Sequence, residues 1–161
     1  MSVKTEIDLY NYQKGAIDKI FERFEDCPSD YHLLYQLPTG GGKTIIFSEI
    51  VRQYLKLKKK KVVVLTHRIE LCNQTSKVLS DFGVLNKVVN SKASLDDQGQ
   101  YSCFVAMVET LNNRLLDDKL DISDVGLVII DEAHYNSLPN YLNFLVVLSF
   151  LEALQDLLAQ I

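Results

Sequence analysis

No stretch of this chain is apolar for long enough to cross a bilayer, and Met1–Asp8 offers no apolar run behind a basic flank of the kind a secretory leader needs. A cytoplasmic protein with no membrane partner is the expectation. Cysteine is scarce: Cys27, Cys72 and Cys103 are an odd number, widely spaced, with no Cys-x-x-Cys pair for a metal or a redox disulfide. They read as reduced, partly buried thiols. Positive charge is also short. At a formal net charge of −4 the molecule as a whole repels a polyanion, so any nucleic-acid contact must be local. The one basic run, Lys56 with Lys58–Lys61, falls where a helix should end and a strand begin. It reads as a solvated helix end whose cations favour the negative end of the helix dipole, with a phosphate-binding patch as the alternative. Internal repeats, low-complexity tracts and Pro/Gly-rich linkers are absent, so one domain is the default. With 47% hydrophobic and 24% charged residues over 161 positions, the composition is that of a globular chain able to bury one core.

What the chain does contain is an alternation of short apolar runs with helical spacing. Leu33–Leu37, Lys61–Thr66, Ser102–Met107 and Val125–Ile130 read as buried strands, with a weaker one at Lys87–Asn90. Helical periodicity appears in Gln13–Phe24, Lys43–Leu57, Ile69–Phe82 and Val108–Leu116. Strands alternating with helices predict parallel pairing through right-handed crossovers, with the sheet covered on both faces. The predicted fold is α/β, a three-layer α/β/α sandwich on a mainly parallel sheet. In such sheets ligands bind beyond the carboxyl ends of the strands, and the chemically loaded segments here do follow strands.

After the first strand comes Leu37-Pro38-Thr39-Gly40-Gly41-Gly42-Lys43-Thr44, then a helix. Three glycines let the backbone turn tightly and aim successive N–H groups at phosphate oxygens, and the helix start adds its positive end. Lys43 supplies a point charge for β/γ-phosphates and the Thr44 hydroxyl a ligand for Mg²⁺, the chemistry of a phosphate loop, although Leu37 stands where that pattern has its first glycine. The strand Val125–Ile130 delivers Asp131-Glu132-Ala133-His134. A carboxylate there can hold Mg²⁺ largely through its water shell, the role expected of Asp131. Glu132 can orient, or take a proton from, the water that attacks the γ-phosphorus, and His134 can link nucleotide state to its neighbours. For this to work, Lys43 must face Asp131 and Glu132 across adjoining β-segments.

In this order the segments resemble the first RecA-like lobe of superfamily-2 helicases, in particular the DEAH-bearing group that includes RadD-like proteins and the helicase subunits of type I and type III restriction enzymes. The resemblance runs from Ile7 to about Asn136. Leu37–Thr44 resembles motif I and Asp131–His134 motif II, which implies a P-loop NTPase using ATP and Mg²⁺. Leu9-Tyr10-Asn11-Tyr12-Gln13 resembles the adenine-recognising segment Leu-Arg-x-Tyr-Gln, implying that Gln13 reads the adenine edge; Tyr10 stands where the family often has arginine. Leu65–Leu71 resembles motif Ia, implying that Thr66 and Arg68 lie against a nucleic-acid backbone, and Val105–Leu111 resembles motif Ib, with the Thr110 hydroxyl a phosphate donor. The implied partners are DNA or RNA and a second RecA-like lobe, in cis or in trans, carrying arginine fingers.

Beyond His134 the resemblance stops. Residues 1–140 read as the ATP-binding lobe and 141–161 as a leucine-rich tail in place of the expected motif III region, its latter part spaced as an amphipathic helix. Truncation or a shifted reading frame of a longer gene is the expectation for that tail, which either packs where the absent strand belongs or mediates self-association. The function implied is an ATP-dependent helicase or translocase lobe, weakly active or inactive by itself. The rival is a non-catalytic nucleotide-binding or vestigial interaction module. A small-molecule kinase or GTPase is disfavoured by the Asp-Glu-Ala-His run, by Gln13, and by the lack of an Asn-Lys-x-Asp segment.

Overall fold

The structure, a computed structural model, describes residues 7–26, 32–37, 42–66, 68–117, 120–121, 124–131 and 143–148. In chain order the elements are α1 (Asn11–Asp26), β1 (His32–Leu37), α2 (Lys43–Leu57), β2 (Lys61–Thr66), α3 (Ile69–Asp81), β3 (Asn86–Val89), β4 (Cys103–Met107), α4 (Val108–Leu116), β5 (Val125–Asp131) and β6 (Asn143–Leu148), with a short 3₁₀ turn at Gln98–Gln100. Each helix and strand read from periodicity is present, with bounds within about two residues. The strand β6 is an addition. Its signal was the short apolar run Phe144-Leu145-Val146-Val147-Leu148 behind Asn143, which meets the criterion for a buried strand but lies inside a longer leucine-rich stretch.

The six strands stand in the order β1-β6-β5-β2-β4-β3. Four of them, β5, β2, β4 and β3, run parallel, with Val63 opposite Phe104 on one side and Val128 on the other. The strand β6 runs antiparallel to both neighbours, pairing Val146 with Leu34 of β1 and with Ile130 of β5. Connection length accounts for the reversal. Residues 132–142 fall just short of the dozen or so that a parallel crossover takes, so the chain returns antiparallel. The phosphate-loop strand β1 is consequently paired to the sheet through β6 alone.

Alternation along the strands divides the core. Val62, Val64, Cys103, Val105, Leu127 and Ile129 face one way and meet α1 (Ile17, Ile20), α2 (Ile46, Phe47, Ile50, Val51) and α3 (Cys72, Leu79). Val63, Leu65, Phe104, Ala106, Val128 and Ile130 face the other way and meet Leu111 of α4 with Leu95 and Leu120. The expected three layers follow. Residues 90–102, which return the chain from β3 to β4, cross this second face, where Arg114 of α4 donates to the carbonyls of Asn90 and Ala93 at 2.8 Å each.

Two local details fix α2, the helix that begins at the phosphate loop. Gly126 of β5 has no Cβ because Tyr54 and Lys60 lie against it, which brings the end of α2 down onto the sheet and buries Tyr54 enough to raise its pKa. Lys56 and Lys58–Lys60 are exposed around the α2 C-terminus, at the amino end of β2. The solvated reading of the basic run fits that position, which is the rim opposite the carboxyl ends of the strands. Among the described residues no helix is long and apolar enough to cross a membrane.

Candidate functional site

The first helical residue of α2 is Lys43, and the last residue of β5 is Asp131. Since β6 lies between β1 and β5, the phosphate-loop strand and the carboxylate strand are two spacings apart, about 10 Å, rather than adjoining as the sequence suggested. The long lysine side chain crosses that gap. Its Nζ stands 2.7 Å from Asp131 Oδ1. Asp131 is only 5% exposed, so its charge is largely removed from water and requires a counter-charge, which Lys43 supplies. The carboxylate also lies beyond the start of α2, whose unpaired N–H groups favour negative charge.

Gly42 precedes Lys43 with φ 72°, a left-handed conformation that glycine adopts without strain. A Cβ added there would come within 2.5 Å of Gln13 Nε2 and 3.6 Å of the Tyr12 hydroxyl. The adenine-segment residue expected to lie near the phosphate loop therefore touches it. Gln13 is the third residue of α1, 3% exposed, and its Oε1 accepts a hydrogen bond from the Tyr10 N–H at 2.9 Å. That is one half of a capping box, in which the side chain of the third helical residue satisfies a backbone donor at the helix start. One amide thus holds the entry of α1 and abuts the entry of α2. Beside it, the Tyr10 and Tyr12 rings stack at 6.0 Å with planes 8° apart, exposed by 69% and 52%.

Along the same rim, β2 and β4 end at Thr66 and Met107, which places Arg68 and Thr110 one and two strands from Asp131. Arg68 is exposed and caps α3 in an extended conformation; Thr110 is half-buried in the first turn of α4. Thr66 requires a correction. Expected against a nucleic-acid backbone, it is instead wholly buried, its Oγ1 donating to the Arg68 carbonyl at 3.1 Å and lying 2.9 Å from Cys72 Sγ. A β-strand alternates its faces, and Thr66 takes the inward one. Its hydroxyl shapes the turn that presents Arg68. Burial raises the Cys72 pKa, only partly offset by the contact with Thr66, and pushes the wholly buried Cys103 thiol up to about 12.

Sequence reasoning missed Glu49. It is buried on α2 and receives Arg52 Nε at 2.7 Å and Gln53 Nε2 at 2.9 Å. Burial acts to raise its pKa, but the hydrogen bonds from Arg52 and Gln53 outweigh it, leaving the carboxyl below its ordinary value. The signal was the i,i+3 and i,i+4 spacing of the three residues on one helix. Thr44 is half-buried as the second residue of α2. Thr39, Gly40, Gly41, Glu132 and His134, together with residues 149–161 of the tail, lie outside the described residues.

Comparison with known proteins bears on this arrangement. Residues 6–155 match the ResIII family, described as the res subunit of type III restriction enzymes. IRC3 of Saccharomyces cerevisiae is 33% identical over 150 residues, which is 85% of this chain and 20% of IRC3. Helicase POLQ-like of Homo sapiens is 28% identical over 144 residues, 79% of this chain and 13% of that protein. The chain thus spans a fifth or less of the length of these two relatives. Among solved structures, the UvsW helicase from bacteriophage T4 superimposes with a TM-score of 0.61 over 81% of this chain and 45% of its own, at 23% identity, a likeness of fold.

Proposed function

The chain belongs to the ResIII family, as a RecA-like lobe of a superfamily-2 helicase, and on that premise we propose that it binds ATP with Mg²⁺ through Gln13, residues 39–44 and the Asp131-Glu132-Ala133-His134 run. The observation that carries the proposal is the meeting of Lys43, Asp131, Gly42 and Gln13 at one rim of the sheet. A loop of backbone donors, a lysine and a helix start suit a polyphosphate. A nearly buried carboxylate and a threonine hydroxyl are hard oxygen donors that suit Mg²⁺, a cation that keeps most of its waters and takes few protein ligands.

In this reading Lys43 neutralises the β- and γ-phosphate oxygens, and the Gly40–Gly42 amides with Thr39 hold the chain of phosphates. Thr44 and Asp131 would hold the metal, which when bound screens the charge that develops on the transferred phosphoryl group. Glu132 orients the attacking water and accepts its proton, while His134 senses the nucleotide's state. The Gln13 amide keeps Nε2 as donor, and the second lone pair of Oε1 as acceptor, for the two-point edge of adenine. Arg68 at the start of α3 and Thr110 at the start of α4 contact nucleic-acid phosphates, which positions a strand without reading its sequence. Thr66 supports Arg68 from beneath. Coupling of hydrolysis to movement on DNA or RNA, as a DEAH-type motor, requires a second lobe in cis or in trans, because a ligand drives motion only by preferring one arrangement of two bodies.

A non-hydrolysable ATP analogue tests the reading. It should bind with Mg²⁺, fail to bind Lys43→Ala, and lose its Mg²⁺-dependent affinity, but not its metal-free affinity, in Asp131→Ala. Metal-independent binding in the unaltered chain, or identical affinity for GTP and ATP, would contradict the roles given to Asp131 and Gln13.

A further inference from the structure

The ion pair between Lys43 and Asp131 constrains the order in which the site can fill. The pair is closed, Nζ to Oδ1 at 2.7 Å, on a carboxylate nearly withdrawn from water. A buried carboxylate stays ionised only with a counter-charge beside it, so a site that must be stable while empty needs Lys43 where it stands. That same placement makes Lys43 an obstacle. A divalent cation on Asp131 would stand beside the ammonium, where the repulsion scales with its double charge and water screens it weakly. Nor can the ammonium meet a phosphate while Asp131 retains it.

Resting on the nucleotide reading of this site, we infer that in the ligand-free chain Lys43 acts as an internal counter-ion that keeps divalent metal off Asp131 until a phosphate chain draws the lysine away. The two ligands then assist one another. A polyphosphate vacates Asp131 by taking Lys43, and Asp131, once it holds a metal, no longer recaptures the lysine. Linkage makes the assistance equal in both directions. It follows that the residue which attracts phosphate also suppresses metal binding in the empty site, so removing its charge should improve the affinity for metal alone.

Manganese is the probe, because oxygen donors suit it and the free ion is counted by its paramagnetic resonance. With the full chain and no nucleotide, Lys43→Gln is expected to take up Mn²⁺ about tenfold or more tightly than the unaltered chain. Lys43→Arg, which keeps the charge, should resemble the unaltered chain, and adding Asp131→Asn to Lys43→Gln should erase the gain. Equal uptake by the unaltered chain and Lys43→Gln, or a gain that survives Asp131→Asn, overturns the inference. Should Lys43→Gln fail to fold, the unaltered chain decides the matter. At matched ionic strength MgCl₂ alone should leave its unfolding midpoint unmoved yet raise it when ATP is present, and a rise with MgCl₂ alone refutes the counter-ion role. If ATP with MgCl₂ produces no change at all, the nucleotide reading fails, while the manganese comparison still reports on Lys43 itself.

Discussion

Replacing Gly42 with alanine tests the junction of α1 with the phosphate loop. Two costs are expected. The backbone at this position has φ 72°, and forcing a Cβ into the left-handed region costs about 1–2 kcal/mol. The new Cβ would also lie 2.5 Å from Gln13 Nε2, a separation that real Cβ atoms do not tolerate, so the amide must swing away and release the Tyr10 N–H, at a further cost of about 0.5–1.5 kcal/mol. The combined loss is about 1.5–3.5 kcal/mol. In a chain of this size each kcal/mol moves the thermal midpoint by about 2–4 °C, well within the reach of urea or thermal unfolding. The discriminating measurement is a double-mutant cycle. In a Gln13→Ala background the clash has no partner, so Gly42→Ala should cost less there, by about 0.5–1.5 kcal/mol, with only the backbone strain remaining. Additive losses from the two substitutions would show that Gln13 and Gly42 are not in contact. A neutral Gly42→Ala would refute the left-handed conformation as well.

Other substitutions and conditions bear on the rest of the molecule. Glu49 has a folded-state pKa depressed by Arg52 and Gln53, so the stability it contributes is present above the unfolded carboxyl pKa and is lost as pH falls through the folded value. Glu49→Gln should therefore cost on the order of 1 kcal/mol near neutral pH and progressively less as acidity titrates the carboxyl, a trend that urea denaturation at several pH values would read. Cys103 has the opposite sign: its folded pKa is raised to about 12, so its contribution is complete below the unfolded thiol pKa of about 8.5 and declines as pH rises towards the folded value, by up to about 1.4 kcal/mol per pH unit. Native protein should accordingly resist thiol labelling at Cys103 until unfolded, with labelling faster than global unfolding as the contrary result. The Ser48 hydroxyl is buried without a hydrogen-bond partner inside α2, so Ser48→Ala should stabilise the chain by about 1 kcal/mol, and a loss in denaturant midpoint would show that the hydroxyl has a partner after all.

Much of this fold and site was legible from residues close together in the chain. The period of the apolar residues located α2 and β2, because side-chain direction in a helix or strand follows from local geometry alone. The need for glycine before Lys43 was similarly local, since the backbone must turn and a Cβ would be strained there. Motif spacing also carried the family, which the comparison established.

What tertiary structure alone decided depends on partners distant in sequence. Strand order is set by which backbone edges find one another and by the lengths of the connections, so an apolar pattern could not announce that β6 would enter between β1 and β5 or run against them. The inward turn of Thr66 arose from strand register, where a one-residue difference exchanges the faces. The contact of Gln13 with Gly42, and the bond from Lys43 to Asp131 across an intervening strand, likewise exist only once two helices and the sheet have packed. Sequence named the chemical groups because each group's chemistry belongs to its own residue; folding chose which of them meet because contact between distant residues depends on the geometry of everything that joins them.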